Sequence, residues 1–208
     1  MVSDWRNRSA PRQKGTTMKR ISAILSIPFF AFTTCSPKAR VTTLDGFLQR
    51  YSQEFLKGSP YKVAIKDYAN GYLGLTDCNV PNECIETNHV DIAMWKTTSG
   101  DIMWGAYQYG CSGGGCWGGL DSLRFFDTTM GDITTKVYDA DEIRTLAKQT
   151  QLFAGGMPVE QDRNFLVNIP RFGTTITLDM GVMFVAGKRD FAELQFDKTS
   201  GKFRLVAK

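Results

Sequence analysis

The sequence predicts an α+β fold: an antiparallel sheet built from consecutive β-hairpins, with two short helices packed on it. Three observations lead there. One local pattern occurs three times, as Trp95-Lys96-Thr97-Thr98-Ser99-Gly100-Asp101-Ile102, Phe126-Asp127-Thr128-Thr129-Met130-Gly131-Asp132-Ile133 and Phe196-Asp197-Lys198-Thr199-Ser200-Gly201-Lys202-Phe203. Each copy has an aromatic residue, polar turn residues with threonine, a glycine five positions on and an apolar residue at seven. Asn70-Gly71 stands between two short alternating runs, a strong hairpin signal. Two amphipathic stretches open on capping residues.

The elements follow in chain order. Leu44, Phe47, Leu48, Tyr51 and Phe55 recur at helical spacing; Thr42 is placed to cap the helix and Gly58-Ser59-Pro60 to stop it. Tyr61–Ile65 and Tyr72–Leu75 read as the strands flanking Asn70-Gly71. In the repeated pattern the first strand ends on its aromatic, the glycine takes a positive φ, and the return strand opens on its first core residue. Alternation after each turn supports this: Ile102/Trp104/Ala106, Ile133/Thr135/Val137 and Phe203/Leu205. Asp139 to about Thr150 reads as the second helix, with Asp139 as N-cap, Glu142 as its third-position partner, and an apolar face of Ile143, Leu146 and Ala147. A further hairpin spans Phe165–Leu178 and turns at Pro170-Arg171-Phe172-Gly173. The copies are too unevenly spaced for a solenoid or a propeller.

Composition sets outer limits. The chain has 208 residues, 42% of them hydrophobic and 22% charged, so it is long enough for a proper core and far from a disordered composition. Its net charge of +4 is uneven. Residues 1–34 hold six basic side chains against Asp4, leaving 19 basic against 20 acidic from Cys35 onward, a net of −1. A near-neutral mature chain lacks the electrostatic footprint of a nucleic-acid binder.

The basicity belongs to a leader. Met18-Lys19-Arg20 is a short basic start, Ile21–Phe32 an apolar run, and Thr33-Thr34-Cys35-Ser36 a drop to small polar residues. That order is the layout of a secretory signal, and the run is too short for a permanent membrane span. The segment Met18–Ser36 resembles bacterial lipoprotein signals, in which the residue after the cleavage site is a cysteine that receives lipid. The resemblance singles out Cys35 and implies an exported protein in the periplasm or cell envelope, anchored to a membrane through that residue. Thr34 and Phe32 depart from the small residue and branched aliphatic usual before the cysteine. The expected organisation is a non-native or disordered extension at residues 1–17, a signal peptide at 18–34 and a single mature α+β domain at 35–208.

With Cys35 set aside, four cysteines remain in two close pairs, Cys78/Cys84 and Cys111/Cys116. An even number suits an oxidising compartment, and local pairing is the simplest of the three connectivities. A zinc site fits worse, because neither pair has the two-to-four-residue ligand spacing together with the usual second pair or histidines.

No constellation commits the chain to catalysis, a metal or a cofactor. The single histidine, His89, sits in Glu86-Thr87-Asn88-His89 before a strand, and no G-x-S-x-G signature accompanies it. It reads as a surface or turn residue. Asp121, Asp127, Asp132, Asp139, Asp141 and Glu142 could supply a glycosidase pair in number only. The glycine-rich segment Cys111–Gly119 is neither a P-loop nor a dinucleotide fingerprint. A disulfide would staple it next to Trp117, which either presents a ring to a ligand, flanked by Trp104 or Tyr107, or folds back to cap the core.

The expected function is a non-enzymatic binding module of the envelope, recognising a protein, peptide or glycan. The alternatives are an envelope-polymer hydrolase with paired carboxylates, and an enzyme inhibitor presenting the 111–116 loop.

Overall fold

The computed structural model describes residues 39–78, 86–112, 115–149, 165–180 and 190–208, with the backbone alone for Glu86, Gly115, Trp117 and Met180. The first element is helix α1, Leu44–Glu54. Its cap is Thr43 rather than Thr42: the Gly46 N–H donates to the Thr43 hydroxyl at 3.2 Å. Helical spacing turns Leu44, Phe47 and Tyr51 to one side, and all three are buried. Burial of such side chains stabilises by roughly 1.5–3 kcal/mol each.

The hairpins form where the turn chemistry places them. Strands β1 (Lys62–Asp67) and β2 (Tyr72–Thr76) pair antiparallel, with Asp67 opposite Tyr72 and the turn over Asn70-Gly71. Strands β3 (Glu86–Lys96) and β4 (Ile102–Ser112) turn through Ser99-Gly100, with Lys96 opposite Ile102. Gly100 has φ +90° and Gly201, its counterpart in the third copy, +68°, the left-handed region that favours glycine.

The second copy departs from the pattern. Phe126, at the end of β6 (Leu123–Phe126), bridges to Asp132, but Met130 takes the positive φ of 64° and the expected return strand is the short helix α2, Thr134–Val137. Local hydrogen bonding accounts for this. Asp132 Oδ1 accepts the Thr134 N–H at 2.9 Å, and Thr134 Oγ1 accepts the Phe125 N–H at 2.9 Å. The side chains thus satisfy groups that a return strand would have paired. Helix α3 follows, Ala140–Gln149, with Asp139 capping it: its Oδ1 accepts from the N–H groups of Asp141 (2.8 Å) and Glu142 (3.3 Å). The remaining hairpins are β7 (Phe165–Asn168) with β8 (Ile176–Met180), and β9 (Asp190–Asp197) with β10 (Lys202–Ala207).

These hairpins divide between two antiparallel sheets instead of extending one. The larger is six-stranded in the order β1-β2-β3-β4-β5, with β5 spanning Gly115–Trp117 and β6 also paired to β4; the smaller runs β10-β9-β8-β7. Strand β4 is long enough to pair with β6 through Trp104–Tyr107 and with β5 through Gly110–Ser112.

Both faces of the larger sheet are covered. Leu73, Leu75, Val90, Ile92, Trp104 and Phe126 pack under α1, while Trp95, Met103, Tyr107 and Phe125 pack on Phe165, Val167, Leu178 and Phe203 of the smaller sheet. Strand β4 shows the consequence: successive residues serve opposite cores, so 103–107 are all buried. Two turns of the repeated pattern also meet, the Thr98 N–H donating to the Lys198 carbonyl at 2.9 Å.

Candidate functional site

Strand register gathers one set of polar and aromatic side chains at the end of the larger sheet. His89 pairs with Tyr109, Asp91 with Tyr107 on one side and Gly74 on the other, and Tyr72 with Ala93. With side chains alternating, His89, Asp91, Tyr72, Tyr107 and Tyr109 share the face that packs on the smaller sheet. Trp95 and Met103 occupy the closed end of this face. Thr87, His89, Asp91 and Tyr109 are only half-buried.

Asp91 is the hub. Tyr72 donates its hydroxyl proton to Asp91 Oδ1 at 2.7 Å, and Tyr109 lies near enough to the same carboxyl to interact with it electrostatically. Burial pushes the Asp91 carboxyl above the usual carboxylate range, and the two tyrosines only partly offset that shift. The phenols of Tyr72 and Tyr109 are raised in turn, first by burial and then by the Asp91 charge.

Three rings run in a ladder beside the carboxyl. His89 stacks on Tyr109 with centroids 5.0 Å apart and planes at 18°, and Tyr109 stacks on Tyr107 at 5.4 Å and 17°. His89 Nε2 lies 2.8 Å from Thr87 Oγ1. His89 is therefore a partly exposed strand residue inside β3 with fixed partners, and not a turn residue ahead of a strand.

At the rim, Arg171 of the β7–β8 turn meets Asp67 at 2.8 Å and lies over the exposed ring of Phe172, 5.1 Å from its centroid. Its hydrogen bond holds Asp67 below the usual range.

Trp104 and Tyr107, expected as flanking ligand contacts, are core residues. Trp104 is fully buried, stacks on Phe47 at 4.9 Å and donates its indole N–H to the Val41 carbonyl at 3.1 Å. Tyr107 is 1% exposed and donates to the Phe165 carbonyl at 3.2 Å. Both faces of the larger sheet are covered at these positions, so neither side chain reaches a ligand as a flank to Trp117. Trp117 pairs by backbone with Gly110, and its side chain lies outside the described residues.

Cys111 and Cys116 sit opposite each other across β4 and β5 at disulfide distance, S–S 1.99 Å. Cys78 is disulfide-bonded, while Cys84 and Cys35 lie outside the described residues. Cys111 faces Thr87 in register, so the staple adjoins the His89 end of the cluster.

Five of the six carboxylates singled out from the sequence do come together. Asp121, Asp132, Asp139, Asp141 and Glu142 line a groove of about 920 Å³ between β6, α2, α3 and β10. Four of them are committed elsewhere. Asp132 accepts from Arg124 at 2.6 Å, Asp139 caps α3, and Asp141 and Asp121 meet Arg144 at 2.6 and 3.4 Å. Burial alone would raise Asp132, but hydrogen bonds from Thr134 and Arg124 outweigh it and hold the group below the usual range. Asp127 holds its own turn, its Oδ1 accepting from the N–H groups of Thr129 (2.7 Å) and Gly131 (3.0 Å).

Sequence reasoning missed Asp91. The available signal was the alternation Val90/Ile92 against Asp91/Ala93, which sets a lone carboxyl on the same face as Trp95. Among the described residues no three His, Cys, Asp or Glu side chains gather as a metal site requires, and no helix is long and apolar enough to cross a membrane. Comparison of the chain with protein-family models, curated proteins and solved structures finds no match.

Proposed function

We propose that this chain is an exported envelope protein, tethered through lipid on Cys35, that recognises a partner through the face formed by Asp91, Tyr109 and His89. The observation that carries this reading is the Asp91 carboxyl, fixed by the Tyr72 hydroxyl at 2.7 Å on adjacent strands rather than loops. Groups held by intramolecular hydrogen bonds and stacking lose little freedom when a partner arrives, so more of the contact energy remains as affinity. The stapled turn at Cys111 and Cys116 extends the same two-stranded end and stiffens it.

The hydrolase alternative has less support. A glycosidase acid needs a raised pKa, yet Asp132 in the carboxylate-lined groove is lowered, and Asp121, Asp139 and Asp141 are tied to a helix cap or an arginine. Export is supported by the leader and by oxidised Cys78, since disulfides persist in oxidising compartments.

An array of envelope-type peptides and glycans, probed with the full chain and with Asp91→Asn, tests the binding face. Hits that Asp91→Asn loses support the proposal. An empty wild-type array, or hits that the substitution leaves unchanged, overturns it.

A further inference from the structure

We infer that the Asp91 face takes a primary ammonium group on an alkyl stem, as a lysine side chain presents it. This inference rests on the reading of the face as a binding surface and adds the chemistry of what it binds.

The hydrogen-bond inventory of the cluster points to a donor. A carboxylate offers about four lone-pair positions, and Tyr72 occupies one of them on Asp91. The tyrosines have one hydroxyl proton each. Tyr72 gives its proton to Asp91, so toward a ligand its oxygen is an acceptor only. Tyr107, third in the ring ladder, is buried with its proton donated to the Phe165 carbonyl and takes no part. The half-buried carboxyl and the Tyr72 oxygen bonded to it are thus acceptors side by side. Their complement is a group carrying several N–H donors.

Charge narrows the choice. Each ion pair seen among the described residues joins Arg or Lys to an acid other than Asp91. The basic side chain that bears on Asp91 is His89, which is held in the ring stack and against Thr87. A neutral hydroxyl from a sugar would satisfy the lone pairs and leave the buried charge uncompensated. An ammonium supplies three donors and the charge together, and tyrosine rings add cation–π attraction.

Shape supplies the stem. Gly74 lies opposite Asp91, and a Cβ placed there would stand 3.4 Å from Ile65 and 3.7 Å from Asp91 Oδ1. Ile65 and the carboxyl therefore flank one point above the glycine. Ile65 is 38% exposed, although its strand partner Gly74 is buried. An alkyl chain lying on Ile65 delivers its ammonium to Asp91.

Calorimetry of the full chain with Nα-acetyl-lysine methylamide, n-butylamine and Nα-acetyl-norleucine methylamide tests this. Binding of both amines, at least tenfold weaker binding to Asp91→Asn and no binding of the norleucine probe are expected. Binding of the lysine probe alone would assign the site to peptide lysine, and equal binding of butylamine to free amines as well; both outcomes support the ammonium class. Equal binding of norleucine, or binding of neither amine, overturns it. Amide shifts of Gly74 and Asp91 on adding butylamine to the wild-type chain give a second reading that does not depend on the variant folding, and unmoved amides would also overturn the inference. If the amines fail while array hits still depend on Asp91, the binding face stands and the ammonium assignment alone falls.

Discussion

The hydroxyl of Tyr107 crosses from the larger sheet to the carbonyl oxygen of Phe165 in β7, 3.2 Å away. The backbone N–H groups of Val167 and Gly119 approach the same hydroxyl. Among the described strands β7 pairs with β8, so its other side is an edge of the described sheet, and the tyrosine hydroxyl serves a carbonyl on that side. Tyr107 therefore joins the sheets and closes an edge that would otherwise invite another strand.

Tyr107→Phe removes that oxygen and little else. A buried carbonyl loses its partner, a change that costs about 1–3 kcal/mol. Urea denaturation should show this loss with an unchanged m-value. A cost within error of zero would show that water replaces the hydroxyl and that the edge is not closed by Tyr107.

Gly118→Ala should damage the same joint from the other side. A Cβ at Gly118 runs into the Tyr107 hydroxyl and ring and comes within 3.3 Å of Tyr109 Cβ. Gly118 has no positive φ, so the constraint is space and not backbone strain. Overpacking of this kind costs typically about 1–3 kcal/mol. The double variant Gly118→Ala/Tyr107→Phe should cost less than the sum of the single changes, because the methyl gains room when the hydroxyl leaves. Strict additivity in a double-mutant cycle would contradict the contact.

Trp104→Ala distinguishes core from ligand contact. The indole is fully buried between α1 and the sheet, so its truncation should cost about 3–5 kcal/mol. The molecules that still fold should retain the wild-type affinity for any ligand of the Asp91 face, measured well below the melting transition. Lost affinity with little lost stability would return Trp104 to the binding role first expected of it.

Local features were legible in the sequence and long-range ones were not. The turns at Asn70-Gly71, Ser99-Gly100, Ser200-Gly201 and Pro170–Gly173 depend on a few adjacent residues, and all four are present. Asp139 was recognisable as a cap for the same reason. Which sheet each hairpin joins depends on contacts such as Trp95 Nε1 to the Thr174 carbonyl, 79 residues away, which no local pattern encodes. That is why the candidate ligand role of Trp104 and Tyr107 was not excluded from the sequence. Asp91 was hidden by the same gap, since a lone aspartate in an alternating strand ordinarily faces water. At Met130 and Thr134 the local pattern itself misled, because one threonine side chain replaced a strand partner.

The burial of Asp91 gives a pH dependence of definite sign. Its carboxyl is raised above the unfolded value of about 3.8, so between that value and its higher folded pKa the folded chain binds more protons than the unfolded chain. The Asp91 contribution therefore weakens as pH rises through that window and is least favourable above it. Asp127, Asp132 and Asp197 are lowered and act in the opposite sense, losing their contribution as pH falls through their folded values. Comparing wild type with Asp91→Asn at each pH cancels those terms and isolates Asp91. Asparagine keeps an oxygen for the Tyr72 hydroxyl but has no charge to desolvate. Urea midpoints from pH 4 to pH 7 should show the variant gaining on wild type as pH rises, with the gap levelling off once Asp91 is ionised. A constant gap would mean that Asp91 does not titrate in this range. A gap that grows toward low pH would mean that the tyrosines stabilise the charge more than burial opposes it, reversing the electrostatics of the face.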